Sequence, residues 1–280
     1  MISIVGGHTG GMSSEAGVHR WPLVSAYSVS KAAAAKLTEN LAHETRRHGI
    51  SVFSVHPGLL PVGMVEVTRA FHRERGVPDD ISWATLADLG QQLVIHRKRR
   101  GTTGLDLQWW LVAHFLGTLY ALGRLQFHLY HLRVGIAGPA FWPDTDEPGF
   151  RKGDATLGVH IPATGPLGPA DCDVSFALAR SFVRERFSEH DFGVATCTSW
   201  LLDEHLADYL PDDSNIVRFQ RRFTVVDGAT DDGRDTLRFV FDRVPESIND
   251  LPQRTTLERA IVTHLHRGGR WRTRTGWLVP

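Results

Sequence analysis

The sequence predicts an α/β protein made of two unequal segments that meet near residue 67. Three observations lead there. An alanine-, leucine- and glutamate-rich stretch over residues 27–48 stops at Gly49 and passes into the β-branched run 50–55, a helix followed by a buried strand. Pro57-Gly58, Pro61 and Gly63 then interrupt the chain, and a charged connector over 65–76 follows. Beyond it, helix-like and strand-like stretches alternate to the carboxyl end.

The later elements are predicted in order. Residues 82–99 have helical spacing at Trp83, Leu86, Leu89, Leu93 and Ile95, and a basic end that suits the helix dipole. The apolar run 109–122 is broken by His114 and Gly117 and is shorter than the roughly 20 residues that cross a bilayer, so it is read as core. Residues 135–153 are rich in proline and glycine and form a long loop. A strand over 156–161, a helix over 170–187, a strand over 194–201 and a short helix over 203–210 come next. Strands over 217–226 and 236–242 and a helix over 255–266 complete the list.

Composition narrows the function classes. Lysine plus arginine number 31 and aspartate plus glutamate 31, so no net positive field gathers nucleic acid. The only cysteines, Cys172 and Cys197, are too few for a disulfide framework or a thiolate metal site and suit a reducing cytosol. No secretory signal follows Met1, and a soluble cytoplasmic protein without a membrane partner is expected. The histidine pairs His128/His131 and His264/His266 have no carboxylate at metal-motif spacing, and no metal site is assigned. The basic runs Arg97–Arg100 and Arg270/Arg272/Arg274 are read as solvated faces, the second alternating as a strand would.

In the first segment Tyr27 and Lys31 stand four apart at a helix start, so both project from one face. A lysine ammonium beside a phenol favours the phenolate and lets a tyrosine exchange protons near neutral pH. Ser14, or Thr9 in an alternative alignment, could hydrogen-bond the same substrate oxygen. This set, with Val55-His-Pro57-Gly58, resembles the short-chain dehydrogenase/reductase family. The resemblance implies a partial Rossmann helix-strand fragment with Ser14, Tyr27 and Lys31 as the catalytic set and NAD(P) as cofactor. The strand, glycine-rich turn and helix that hold the cofactor pyrophosphate are not found in residues 1–67, and Gly6-Gly7-His-Thr-Gly10-Gly11 is rejected as that turn. The buried strand 50–55 is therefore expected to lack its neighbours, and an oxidoreductase would need a partner chain to complete it.

In the second segment, residues 156–170 place a strand, a glycine-bearing turn and a helix start in succession, with Pro169 suited to the first helical turn. Such a bend is either an ordinary connection or a cradle whose free amides bind anionic oxygens. Leu122-Gly-Arg-Leu-Gln-Phe127, His160-Ile-Pro, Cys197-Thr-Ser-Trp-Leu-Leu-Asp203, the run Ser214 to Phe223 and the run Gly268 to Trp277 together resemble the GNAT-like carboxy-terminal domain of bacterial acyltransferases. The likeness runs from about Phe71 to the end and implies a GNAT-like mixed sheet with helices over 68–280. It implies transfer of an acyl group from acyl-CoA, such as acetyl-CoA, to an amine acceptor, with Thr164, Gly165, Leu167 and Gly168 as the phosphate turn and 194–201 as the strand that splays from it. The turn is worded Thr-Gly-Pro-Leu-Gly where the superfamily commonly has Gln/Arg-x-x-Gly-x-Gly.

Amine acylation needs a base for the amine proton and an acid for the leaving thiolate. His160 at the strand end is the candidate base or a packed core histidine, and Tyr209 the candidate acid or a packing residue. Ser199 could position either, and Cys197 is read as core. A protein that keeps the acyltransferase shape for binding alone is the remaining reading.

Overall fold

The structure, a computed structural model, describes residues 2–5, 8–12, 51–55, 62–102, 104, 108–132, 153–226, 233–242, 245 and 247–280. The chain divides into two compact units, Met1–Met64 and Val65–Pro280. The helix expected over 27–48 and the loop over 135–152 lie outside the described residues.

In the first unit β1 (Ile2–Val5) pairs antiparallel with β2 (His8–Met12), Val5 opposite His8. β2 in turn runs parallel to β3 (Ser51–Val55). The sequence expected β3 to stand without neighbours, and β2 corrects that. His-Thr-Gly-Gly-Met carries two glycines and no apolar alternation, so nothing in it announces a strand.

α1 (Val62–Glu74) spans the division into the second unit, which continues with α2 (Asp79–Arg100) and α3 (Gln108–Phe115). The charged connector expected over 65–76 is thus mostly helix. Its inward positions are the polar Thr68 and His72, both buried, so its stripe does not read as apolar. In α2 the buried residues are Ser82, Thr85 and Leu86, whereas Trp83 and Leu93 are 49% and 37% exposed. The Arg69 guanidinium covers the Trp83 ring at 4.1 Å.

Next come β4 (Leu119–Leu122), β5 (Leu125–His131), β6 (Ala155–His160), α4 (Pro169–Arg186) and β7 (Ala195–Ser199). α5 (Asn215–Gln220), β8 (Thr224–Val225), α6 (Arg234–Phe241), α7 (Thr256–His266) and β9 (Arg274–Leu278) finish the chain. The six strands form one mixed sheet in the order β4-β5-β6-β7-β9-β8, parallel only between β6 and β7. An α/β fold is therefore what the sequence encodes.

Several expected strands are helices or end early. Residues 217–226 hold α5 and only two strand residues, because Ser214 accepts the Val217 amide at 3.3 Å and caps a helix there. Residues 236–242 form α6, which buries Thr236 and Phe241 and stops at Asp242 with φ 61°. The strand expected over 194–201 ends at Ser199, whose hydroxyl accepts the Leu201 amide and starts the 3₁₀ turn Trp200–Leu202. The helix expected over 203–210 is the 3₁₀ turn Glu204–Asp208. Arg270 and Arg272 precede β9, so they do not alternate on a strand.

The main core lies between one face of the sheet and α4. Leu125, Phe127, Leu157 and Val159 meet Cys172, Phe176, Ala179 and Val183, which recur three or four apart as one helical face requires. Tyr120 fills the end of this core against Phe182 and Phe187, its hydroxyl donating to the Gly117 carbonyl at 2.7 Å. A second core joins Leu206, Val217, Phe241, Ile261 and Trp271, whose indole donates to the Ile261 carbonyl at 3.2 Å.

Candidate active site

β6 is paired along its whole length with β5, and β7 along its whole length with β9. With each other they pair only at Leu157↔Ala195 and Gly158↔Thr196, although β6 continues to His160 and β7 to Ser199. The sheet therefore opens between two parallel strands at their carboxyl ends, and backbone of both strands faces the gap.

Directly beyond β6 the chain bends through Thr164, Gly165, Pro166, Leu167 and Gly168 into α4. Thr164, Gly165 and Pro166 are exposed, Gly165 has φ +67°, and a Cβ at that position would meet nothing within 4 Å. Leu167 anchors the bend in the core. α4 begins at Pro169 with no side-chain cap on its first amides, which leaves the donors of a helix start unmet by side chains. The strand end, the open bend and the uncapped helix start all sit at the mouth of the splayed pair.

The sheet face away from α4 is polar. By register Gln126 of β5 lies opposite His160, His128 opposite Gly158 and Tyr130 opposite Thr156. The His128 and His160 rings are 5.9 Å apart. Tyr130 crosses over Gly158, where a Cβ would lie 2.5 Å from its ring, and its hydroxyl meets Thr196 Oγ1 at 2.5 Å. Only glycine leaves room for that crossing, and the Tyr130–Thr196 bond ties β5 to β7 across β6 at the last position where β6 and β7 pair. Behind this face the buried His114 donates to Asp88 at 3.1 Å. Burial opposes the charge on Asp88, but hydrogen bonds from His114, Gln92 and Gln126 hold its carboxyl below the usual range.

Residues 119–278, more than half of the chain, match the family model described as the GNAT-like C-terminal domain. The chain belongs to that family. A second family model, the N-acyltransferase N-terminal domain, matches residues 26–117 and so begins inside the stretch whose motifs resemble a dehydrogenase. Among solved structures, an acyltransferase in complex with decanoyl-CoA and teicoplanin is 39% identical with a TM-score of 0.67, over 78% of this chain and 64% of that one. A structure with CoA and 10C-Teicoplanin gives the same figures. An acyltransferase in complex with decanoyl-CoA is 34% identical, with a TM-score of 0.67, over 95% of this chain and 82% of that one. The chain thus spans less than two thirds of the first two relatives. A comparison with curated proteins finds no match.

Within the GNAT-like domain the expected site residues separate into groups. His160 stands at the open end of β6, among His128 and Gln126. Ser199 caps a 3₁₀ turn, and the Tyr209 hydroxyl is 3.2 Å from His264 Nδ1. Ser14, Tyr27 and Lys31 lie outside the described residues. Cys197 is buried in the core, which pushes its thiol up to about 12 and leaves it no nucleophile. The sequence missed His128, Tyr130, Asp88 and His114 as a group. The alternation Gln126-x-His128-x-Tyr130 on one strand was the available signal.

An open cleft of about 470 Å³ is lined by His205, His264, Trp271 and the loop before Trp271. Asp203, Glu204 and His205 bring ligand-type atoms within 4.8 Å of one another there. Those atoms are committed. Asp203 accepts from the His205 amide and ring and from the Arg272 amide, and Glu204 holds Arg274.

Burial, with smaller contributions from neighbouring imidazoles, lowers His160 to about 3 and His128 to about 4. Both are neutral at working pH. In the unfolded chain each binds a proton below about 6.5, whereas the folded protein resists it. Stability is therefore complete above about 6.5 and falls as the pH drops from there toward 4. Urea midpoints measured from pH 7 to 4.5 should decline. A flat series would contradict the neutral state of this pair.

Proposed function

We propose that this chain transfers an acyl group from acyl-CoA to an amine. The observation that carries the reading is the parting of β6 and β7 after Gly158↔Thr196 beside an exposed turn and an uncapped helix start. An extended pantetheine arm would enter the gap as a strand-like partner, and the diphosphate would lie on the amides of Thr164, Gly165, Leu167 and Gly168. The thioester carbon would then sit near His160. As the amine nitrogen bonds to that carbon, His160 takes its proton, the carbon–sulfur bond breaks and the CoA thiolate leaves. Tyr209 is proposed as the acid that reprotonates the thiolate, and Ser199 as a residue that fixes the end of β7. The relatives holding decanoyl-CoA and teicoplanin support a long-chain donor and a teicoplanin-like acceptor.

For residues 1–67, the Ser14, Tyr27 and Lys31 spacing supports a dehydrogenase-derived fragment, whereas the match starting at residue 26 supports a transferase segment. Among the described residues no helix is long and apolar enough to cross a membrane. Both cysteines are free and buried, which supports a reducing, cytoplasmic setting. Calorimetric titration with CoA and NADPH separately tests these readings. Heat with CoA alone is expected. Heat with NADPH alone would replace the transferase by an oxidoreductase, and heat with neither would leave a binding or scaffold protein.

A further inference from the structure

We infer that Arg124 is a positioning residue for the phosphate turn, holding the carbonyls of Gly165 and Pro166 inward so that the following amides face an incoming diphosphate. The inference rests on the CoA reading above. Arg124 sits in the two-residue loop between β4 and β5, closed by the pair Leu122↔Leu125. Its amide donates to Ser175 Oγ at 2.8 Å, and that hydroxyl donates to the Asp171 carbonyl at 2.8 Å, so the loop is pinned to the first turns of α4. From this fixed base the guanidinium donates through Nε to the Pro166 carbonyl at 2.8 Å and through Nη2 to the Gly165 carbonyl at 3.0 Å.

Two consecutive carbonyls held by one planar fork fix the orientation of two peptide units. The Pro166–Leu167 peptide bond is trans, so its N–H points opposite to its carbonyl. With the Pro166 carbonyl drawn to Arg124, the Leu167 amide points away from it, to the open side of the bend. Pro166 has no amide of its own, so Leu167 and Gly168 supply the donors next to the helix start. On the other side of the helix start, Arg222 donates to the Pro169 carbonyl at 2.9 Å and pairs with Asp173. The bend is thus tied from two sides by arginines that the acylation chemistry does not use. A lysine could balance the charge of Asp171 but could not span both carbonyls.

The test compares decanoyl-CoA with S-decanoylpantetheine, which lacks the diphosphate, as donors for wild type, Arg124→Gln and Arg124→Lys. Both variants should raise KM for decanoyl-CoA roughly tenfold, as expected for losing two oriented hydrogen bonds, with kcat within about twofold. KM for the pantetheine thioester should not move. Thermal melting of each variant and CoA calorimetry on wild type accompany the kinetics. If wild type binds no CoA, the transferase reading and this inference both fall. If wild type binds CoA and the variants bind it equally well, or lose both donors alike, the inference alone is overturned. Should Arg124→Gln melt before assay, Ser175→Ala loosens the same loop and is expected to raise KM for decanoyl-CoA only, and an unchanged KM overturns the inference.

Discussion

Replacing His160 by alanine is expected to lower kcat for amine acylation by about 10²- to 10³-fold while leaving CoA affinity within a few-fold of wild type. The residue ends β6, opposite Gln126 and beside His128, at the mouth of the opened strand pair. The phosphate turn lies several residues further on and keeps its own supports, so donor binding and proton removal are carried by different parts of the site. Because burial holds the imidazole neutral down to about pH 3, the acid limb of the kcat profile should show no group titrating near 6.5 from His160. Stopped-flow or steady-state rates with decanoyl-CoA and an amine acceptor, paired with calorimetry, measure both quantities. An alanine variant that keeps its full kcat would remove His160 from the mechanism.

The second large effect concerns stability. Asp203 is 0% exposed, and its carboxylate accepts from the His205 amide at 3.1 Å, the His205 ring at 2.7 Å and the Arg272 amide at 2.7 Å. It thereby ties the 3₁₀ turn after β7 to the segment that leads into β9. Asp203→Ala removes a fully buried acceptor and leaves three partly buried donors unmet, a cost of about 3 kcal/mol. In a domain of this size that corresponds to a loss of roughly 10 °C in Tm, read by scanning calorimetry. Asp203→Asn keeps one acceptor oxygen and should lose less. Equal melting of Asp203→Ala and wild type would show that the carboxylate is not needed to join the two segments.

The order of β6, the bend and α4 was legible because each signal is local. A short strand ends before a stretch of proline and glycine, Pro169 suits a first helical turn, and apolar residues recur with helical spacing from Cys172 to Val183. The placement of His160 at the strand end and of residues 164–168 in the bend was legible for the same reason. α1, α5 and α6 were not. Thr68 and His72 bury polar groups, and the cap at Ser214 overrides a run that looks β-branched.

What the sequence determined by itself is the class of fold and the succession of strand, bend and helix, because hydrophobic period, proline and glycine act over a few residues. What only the tertiary structure decided is which distant side chains share a face: Asp88 and His114 behind Gln126, Tyr130 reaching Thr196 across Gly158, and Arg124 against Gly165 and Pro166. Those meetings depend on strand register and on where a ladder stops. Register is set by the packing of the whole sheet against α4, which no local stretch of chain encodes.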